Sequence, residues 1–342
     1  MNARASFARL SLRSVVAALF AAFALISVLA GCGVSSAGAG TAGSLTVGLT
    51  YVPNIQFAPF YVADSLGYYK AAGLSVTFHH HNVGEDEFAA LIAGKEDAIF
   101  ASGDEVLGAR AQNVPIVDVA TLWTKYPVTL IVPASSSIQT PADLRGHTIG
   151  VPGQYGATYI GLLALLKNNG LSPSDVKIQS IGYTQVSALL THHVDAVMGY
   201  INNEPLQIKK AGMDVRTFDV AGSQPLISNG IAALQDTLDK KPDLIKALVK
   251  ATLQGVEYTN AHPQEAVNIS KKYVPGLNDP SAAADALAVL QATIPLWQST
   301  GGKAGNNDAQ AWQSMASFLQ TNGLLKQPVD ATKAISNAYL PG

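Results

Sequence analysis

The sequence of 342 residues contains a single cysteine, Cys32, and only 13% of its residues are charged. One cysteine cannot form a disulfide within the chain, and no thiol is left for a structural or catalytic role inside the fold. The net charge is −2, and no basic stripe follows the N-terminal region, which argues against a nucleic-acid partner. Beyond residue 31, no apolar run approaches the roughly 20 residues of a membrane span.

The motifs of common enzymes and cofactor sites are also missing. The chain has no Gly-x-Ser-x-Gly elbow and no His-Glu-x-x-His pair, and residues 153–158 (GQYGAT) lack the Gly-Lys-Ser/Thr ending of a P-loop. We therefore expect a protein that is not an enzyme and that needs no cofactor. Apolar residues make up 48% of the sequence, which is enough for a sizeable core and for two domains.

The first 44 residues have the pattern of an exported protein. Three arginines, the last of them Arg13, precede an apolar run over residues 15–29, and residues 29–32 read LAGC. This ending resembles the lipobox of bacterial lipoproteins, in which the cysteine is lipidated and becomes the new N-terminus. The alternative is an ordinary secretory signal with an accidental cysteine. We predict a signal peptide over residues 1–31, then the lipidated Cys32 and a flexible tether to residue 44; the mature chain would carry 19 basic and 24 acidic residues.

After the tether, predicted strands and helices alternate, which is typical of an α/β architecture with largely parallel sheets. The strands are expected at 45–51, 74–79, 98–101, 114–122, 128–132, 148–151, 176–180, 196–199 and 215–220. The predicted helices are 57–70, 86–93, 104–112, 158–168 and 184–192, followed by 242–260, 264–273, 281–292 and 308–322. We predict two lobes, one formed by 45–132 plus 226–342 and the other by 133–225. The C-terminal region is expected to be helical.

Several segments, in this order and spacing, carry a resemblance to a known family. They are 51–54 (YVPN), 57–63 (FAPFYVA), 67–74 (GYYKAAGL), 93–98 (AGKEDA) and 141–146 (PADLRG). The chain resembles the solute-binding proteins of ABC importers with the type II periplasmic-binding fold. It is most similar to the branch that binds thiamine pyrimidine precursors, riboflavin, sulfonates or nitrate, over roughly residues 45–260. The resemblance implies two lobes that close over a ligand and dock on a membrane permease.

Two of these segments bear on the choice of ligand. In the pyrimidine binders the first motif usually has Trp where this chain has Tyr51, and a His-containing stretch follows it. The stretch 57–63 instead looks like that of the predicted riboflavin binders. Residues 199–204 (GYINNE) are similar to a segment that lines the pocket in the pyrimidine branch, where an aromatic stacks and a carboxylate pairs with ring nitrogens. This resemblance implies pocket roles for Tyr200, Asn203 and Glu204.

Aromatic side chains are expected at the turns between strands and helices, where a cleft between two lobes would lie. A flat heterocycle needs such rings on its two faces. For each ring, a place in the core is about as probable as a place in the pocket. The candidates are Tyr51, Phe57, Tyr126, Tyr155 and Tyr200.

Three polar residues are candidates for the edge of a bound ring, and each has a structural alternative. Asn54 could donate and accept hydrogen bonds there, or it could be a turn residue after Pro53. Glu204 could accept N–H bonds from a ligand, or it could begin a helix. Asp104 could bind a ligand hydroxyl or cap its helix. Free N–H groups at the start of the helix near residue 158 could take an anion or a carbonyl.

The run His79-His80-His81 is the obvious metal candidate. Adjacent residues of a strand point to opposite faces, so at most His79 and His81 share a side. A second cluster with metal-like spacing is missing, because His192 and His193 are also adjacent. We predict a solvated strand end and no metal site.

These observations predict a lipid-anchored binding protein on the extracytoplasmic face of the cell membrane. Its partners would be a small ligand and the permease and ATPase subunits of an importer, with no nucleic acid. Riboflavin or a similar flat vitamin is the first hypothesis for the ligand, a thiamine pyrimidine precursor the second, and an alkanesulfonate- or nitrate-type anion the third. A secreted enzyme on the same scaffold is the rival from another class.

Overall fold

Two five-stranded sheets organise the chain in the computed structural model, which describes residues 43–220, 226–297 and 303–342. The first sheet has the order β2-β1-β3-β10-β4 and the second has the order β7-β6-β8-β5-β9. The strands are β1 (Gly43–Leu49), β2 (Leu74–His80), β3 (Ala98–Ser102), β4 (Ile116–Thr121), β5 (Val128–Pro133), β6 (Thr148–Val151), β7 (Lys177–Ser180), β8 (Ala196–Tyr200), β9 (Val215–Asp219) and β10 (Asn229–Leu234).

The two sheets share one topology, in which a single reversed strand takes the fourth position. In the first sheet β10 runs antiparallel to both β3 and β4, whereas β1 is parallel to β2 and β3. In the second sheet β5 runs antiparallel to both β8 and β9, whereas β6 is parallel to β7 and β8. The predicted α/β class with mostly parallel sheets is thus confirmed, and the reversed strands are those by which the chain passes between the sheets.

Helices flank both sheets and dominate the C-terminal region, as predicted. They are α1 (Ala58–Ser65), α2 (Tyr68–Ala71), α3 (Ala89–Ile92), α4 (Gly103–Arg110), α5 (Gly156–Asn168), α6 (Gln185–Leu190), α7 (Glu204–Lys210), α8 (Gln235–Lys240), α9 (Pro242–Ala261), α10 (Pro263–Ser270), α11 (Pro280–Trp297) and α12 (Ala309–Thr321). Short 3-10 turns lie at Ile55–Phe57, Pro141–Leu144, Pro173–Asp175 and Ala331–Lys333.

Alternation along β1 explains how the first lobe forms its core. Leu45, Val47 and Leu49 are almost fully buried and join a cluster with apolar residues of α1, α9 and α11. The residues between them, Thr46 and Gly48, face the other side of the sheet, as the two-residue period of a strand requires. Burial of side chains of this size contributes roughly 1.5–3 kcal/mol each.

The structure corrects three sequence expectations. The lobe boundary expected after residue 132 falls inside β5, which pairs in the second sheet, so the chain changes sheet before residue 128. The helix expected over 57–70 is two helices, because Gly67 adopts a left-handed φ of 75° that ends the first. The strand β10 was not predicted.

Within the described residues, no helix is both long and apolar enough to cross a bilayer. The predicted signal peptide, Cys32 and the tether up to residue 42 lie outside the described residues, as do 221–225 and 298–302.

Candidate functional site

A cleft between the two sheets takes residues from both lobes, and its empty space, open solvent included, is about 750 Å³. Most of its lining follows the carboxyl ends of parallel strands, where α/β proteins usually bind ligands. Tyr51 follows β1 and Tyr183 follows β7, while Tyr200 ends β8. Phe100 is the middle residue of β3. Asn229 reaches the same edge from the start of the reversed strand β10.

Aromatic rings form much of the cleft wall. Tyr51 of the first lobe meets Tyr183 of the second edge to face, with ring centroids 4.4 Å apart and planes at 63°. Trp123 lies 6.0 Å from Tyr200 by the same measure, at 68°. Such walls suit a flat ring, because an aromatic face attracts another ring offset or edge-on. Seven aromatic residues line the cleft: Tyr51, Phe57, Phe100, Trp123, Tyr155, Tyr183 and Tyr200.

The carboxylate of Glu105 joins the two lobes beside these rings. Its Oε2 accepts from the N–H of Ser102, the N-cap of its own helix α4, at 2.8 Å. Its Oε1 accepts from the N–H of Ala157, in the first turn of α5 in the other lobe, at 2.6 Å. Gly156 adopts a left-handed φ of 73°, and a Cβ there would lie 3.2 Å from the same oxygen. The helix start, whose free N–H groups could take an anion or a carbonyl, therefore takes a carboxylate of the protein itself.

Glu87 lines the cleft and shares a side-chain hydrogen bond with Glu105. Burial raises the pKa of the Glu87 carboxyl well above its ordinary 4.5, and the neighbouring charge of Glu105 raises it further. Glu87 therefore keeps its proton to a higher pH than a free carboxyl and serves as a hydrogen-bond donor.

On the other wall, Glu204 is buried at the start of α7. Its Oε2 accepts from the N–H of Tyr200 at 2.7 Å, and its Oε1 accepts from the side-chain amide of Asn203 at 3.0 Å. A Cβ on Gly199 would lie 2.8 Å from the carboxylate, so a glycine lets it approach the strand. Burial raises the pKa of Glu204. Glu204 thus begins a helix, which is one of its two expected roles, and it lines the cleft. Its role toward a ligand stays a prediction.

Six of the nine expected ligand residues line the cleft, and three lie elsewhere. The six are Tyr51, Phe57, Tyr155, Tyr200, Asn203 and Glu204. Asn54 caps the 3-10 turn by accepting from the N–H of Gln56 at 3.1 Å, which is its alternative role in a turn. Tyr126 donates from its hydroxyl to Asp104 Oδ2 and to the carbonyl of Ala157, both at 3.1 Å. Both residues are therefore structural.

Asp104 occupies neither expected position. Ser102 caps α4, and Asp104 lies fully buried behind the cleft wall, where it faces Tyr126. Burial, reinforced by the charge of Glu105, raises the pKa of Asp104 to about 7.

Sequence reasoning missed several lining residues, including Gln56, Glu87, Glu105, Trp123, Tyr183 and Gln185. Trp123 and Tyr183 come two and three residues after strands, so the rule that found Tyr51 would also have found them. Glu105 carries a different signal, since Ser102 and Glu105 have the Ser-x-x-Glu spacing of a capping box at the start of α4. Glu87 carries no such signal.

The prediction of a solvated strand end at the three adjacent histidines is wrong. His80 faces the core side of β2 and lies 3.0 Å from the hydroxyl of Tyr61. His79 and His81 point to the other face, where both reach the buried carboxylate of Glu96. The side chain of His79 is 44% exposed, whereas that of His81 is only 5% exposed.

Comparison with known proteins places this architecture in a family. The model of the family described as NMT1/THI5 like matches residues 54–266, more than half of the chain. The chain belongs to the NMT1/THI5-like family. It is 36% identical over 305 residues to the riboflavin-binding protein RibY of Chloroflexus aurantiacus, which covers 87% of this chain and 86% of the relative. It is 27% identical over 302 residues to the formylaminopyrimidine-binding protein of Halalkalibacterium halodurans, covering 86% and 90%.

The NMT1/THI5-like relatives also include a protein named as an enzyme. A 4-amino-5-hydroxymethyl-2-methylpyrimidine phosphate synthase of Legionella pneumophila is 24% identical over 301 residues, covering 87% of this chain and 92% of the relative. Among solved structures, the periplasmic aliphatic sulphonate binding protein SsuA of Escherichia coli superposes with a TM-score of 0.69 at 18% identity, covering 87% and 99%. This likeness shows a shared periplasmic-binding-protein fold.

Proposed function

We propose that the protein is the substrate-binding component of an ABC importer and that it captures a flat heteroaromatic vitamin, riboflavin first. The observation that carries the proposal is the cleft, which is walled by aromatic rings from both lobes. The similarity to the riboflavin-binding protein RibY over most of both chains supports the choice of ligand.

The polar groups of the cleft suit the edge of an isoalloxazine ring, which presents carbonyl oxygens and one N–H. The amides of Gln56, Gln185 and Asn229 line the cleft and can both donate and accept. Glu87 also lines the cleft, where burial raises the pKa of its carboxyl. A few directed hydrogen bonds within an apolar pocket are what fix the orientation of a small ligand.

A thiamine pyrimidine precursor is the second candidate, supported by the formylaminopyrimidine-binding relative. A pyrimidine is a single ring and would contact fewer of the aromatic side chains that line the cleft. An alkanesulfonate or nitrate fits less well, because the described residues that line the cleft include three glutamates and no lysine or arginine. A sulfonate normally takes cationic partners or free N–H groups.

We propose binding rather than catalysis, although the family includes a protein named as a synthase. Glu105 and Glu204 use both carboxylate oxygens in hydrogen bonds to the protein, so neither is poised as a free base. We further propose that the chain is exported and anchored by a lipid on Cys32, on the extracytoplasmic face of the membrane, where it would deliver its ligand to the permease.

Fluorescence titration of riboflavin with the purified protein tests the proposal. Contact with the cleft aromatics should quench the flavin saturably, with one ligand per chain. Tyr200→Ala should weaken binding, while Tyr258→Ala, a change of a partly buried tyrosine of α9 that does not line the cleft, should not. Saturable binding of the pyrimidine but not the flavin would favour the second candidate, and product turnover would favour an enzyme. Failure to bind any of these ligands would refute the proposed function.

A further inference from the structure

A cluster of His79, His81 and Glu96 lies apart from the cleft, on the first sheet. The Nδ1 of His79 and the Nε2 of His81 lie 2.6 Å and 2.8 Å from the same oxygen of Glu96, Oε1. The side chain of Glu96 is fully shielded from solvent. Its other oxygen, Oε2, is buried and has no hydrogen-bond partner. Burial of a carboxylate oxygen without a hydrogen-bond partner costs free energy, and a bound cation at this position would offset that cost.

The backbone is arranged so that the three side chains meet. His79 lies on β2 and His81 directly follows the end of that strand, where its N–H still pairs with the carbonyl of Leu49 on β1, so the two side chains share a face. In the neighbouring strand, Gly48 stands opposite His79. A Cβ on Gly48 would lie only 2.3 Å from Oε2 of Glu96, so a side chain there would displace the carboxylate. The glycine thus makes room for a carboxylate that approaches both histidines.

The separations are close to those of a metal site. The three candidate ligand atoms lie within 4.8 Å of one another. Two ligands of a tetrahedral zinc ion, each about 2.0–2.1 Å from the metal, are about 3.3 Å apart. An ion could therefore replace the shared hydrogen bonds if each imidazole moved away from the carboxylate by less than about 1 Å. Two imidazole nitrogens and a carboxylate oxygen suit zinc and related first-row transition ions.

The surroundings supply two further features of such sites. The other ring nitrogen of His79, Nε2, lies 4.0 Å from Oε2 of Glu85. Metal-bound histidines usually give their second N–H to a carboxylate, which fixes the ring and strengthens the ligand. Because His79 is half exposed, a water molecule has access to the fourth position.

We propose that His79, His81 and Glu96 bind one divalent transition-metal ion of the zinc class, with Glu85 as the outer partner of His79. The ion would tie the edge strand β2 to the segment that precedes β3. It would also anchor the start of the loop over 81–88, which carries Glu87 to the cleft. We infer this metal site from side-chain geometry alone, so it is independent of the identity of the ligand in the cleft.

Calorimetric titration of Zn²⁺ into the full chain, freed of metal by a chelator, tests the proposal. We expect one equivalent to bind, with the melting temperature rising as zinc is added. Co²⁺ in the same site should show the visible absorption of a low-coordinate ion with nitrogen and oxygen ligands. Glu85→Gln should weaken the affinity by roughly 10- to 100-fold, as loss of an outer partner does. His79→Gln and Glu96→Gln should weaken it by more.

His262→Gln, a change of an exposed histidine at the start of α10, is the matched control and should leave binding unchanged. Circular dichroism of each variant checks that it folds. The side chain of His79 is half exposed, so His79→Gln should disturb the fold less than Glu96→Gln and reports most directly on metal binding. Absence of stoichiometric binding would show that the cluster is only a set of internal hydrogen bonds. Binding that His79→Gln and Glu96→Gln both leave intact would place the ion elsewhere. Either result overturns the proposal.

Discussion

The carboxylate of Glu105 on the first lobe accepts a hydrogen bond of 2.6 Å from the backbone N–H of Ala157 on the second. The hydroxyl of Tyr126, from the segment that joins the lobes, donates to the carbonyl of the same Ala157. Two further contacts span the cleft mouth: Tyr51 against Tyr183, and the N–H of Gly84 to the hydroxyl of Tyr155. These contacts describe a closed arrangement, in which the lobes hold each other beside the cleft.

Glu105→Ala should destabilise this closed arrangement. A hydrogen bond to a charged group contributes about 1.5–3 kcal/mol, which corresponds to roughly 10- to 100-fold in ligand affinity. Most of the loss should appear as faster riboflavin dissociation, measured by stopped-flow fluorescence. Asp143→Ala removes the equivalent carboxylate from the capped turn Pro141–Leu144, away from the cleft, and is the control. Equal dissociation rates for the two variants would contradict the role of Glu105.

Tyr183→Leu should weaken riboflavin binding by removing one aromatic wall. An aromatic pair contributes about 0.5–1.5 kcal/mol beyond the area it buries, so we expect a loss of roughly 2- to 10-fold. The fluorescence titration of the variant measures this loss. An unchanged affinity would mean that the flavin ring does not contact Tyr183.

Riboflavin affinity should fall as the pH rises through the raised pKa of Glu87. The protonated carboxyl of Glu87 holds the hydrogen bond to Glu105, and loss of its proton breaks that bond and leaves two negative charges side by side in the cleft wall. Dissociation constants measured across a pH series check this trend. Glu87→Gln keeps a donor without a titrating group, so its profile should be flat over the same range. A wild-type profile as flat as that of the variant would refute the assignment.

Riboflavin 5′-phosphate should bind at least about tenfold more weakly than riboflavin. Among the cleft residues in the described part of the chain are three glutamates and no lysine or arginine, so none of these side chains offers the phosphate a cationic partner. Competition titrations at low and high salt measure the difference, which should narrow as salt screens the charges. Equal affinities at low salt would show that the ligand tail leaves the cleft into water.

Asp118 provides a test of the fold that is independent of the ligand. Burial raises its pKa from 3.8 to about 7. Between pH 4 and 7, roughly, the folded state therefore binds one more proton than the unfolded state. The free energy of unfolding should fall as the pH rises through this window, by up to about 1.4 kcal/mol per pH unit for this one group.

Asp118→Asn should reduce this slope, because the amide does not titrate. Urea unfolding at a series of pH values measures the effect, and Asp236→Asn, a change of an exposed aspartate on α8, should leave the slope unchanged. Asp104 adds a slope of the same sign, since its pKa is also about 7, so some slope should remain. Identical slopes for wild type and Asp118→Asn would contradict the raised pKa.

Local sequence patterns predicted most of the fold. The strand at Thr148–Val151 was predicted at its observed bounds, and the helix expected over 242–260 is observed at Pro242–Ala261. The strand Asn229–Leu234 was missed because it contains an asparagine, a glycine and two alanines, residues that do not favour strands. This segment is a strand because it pairs with β3 on one side and β4 on the other, and local sequence patterns do not predict such long-range pairing.

The difference between local patterns and long-range contacts also explains which residues of the candidate site could be predicted. Tyr51 and Tyr200 could be placed at the cleft because each lies at the carboxyl end of a strand, where the fold brings such residues together. Asn54 occupies a similar position along the chain, but its side chain accepts from its own turn. The contact of Glu96 with His79 and His81 could not be predicted from the sequence, because it depends on the register of β1 with β2 and on the glycine at position 48.

A crystal structure of the protein with riboflavin would show directly whether the vitamin binds between the aromatic walls of the cleft. We expect the isoalloxazine ring to contact Tyr51 or Trp123 of one lobe and Tyr183 or Tyr200 of the other. Its edge should be hydrogen-bonded to amides such as Gln56 or Gln185. A flavin bound outside this cleft, or crystals that hold no flavin at saturating riboflavin, would contradict this expectation.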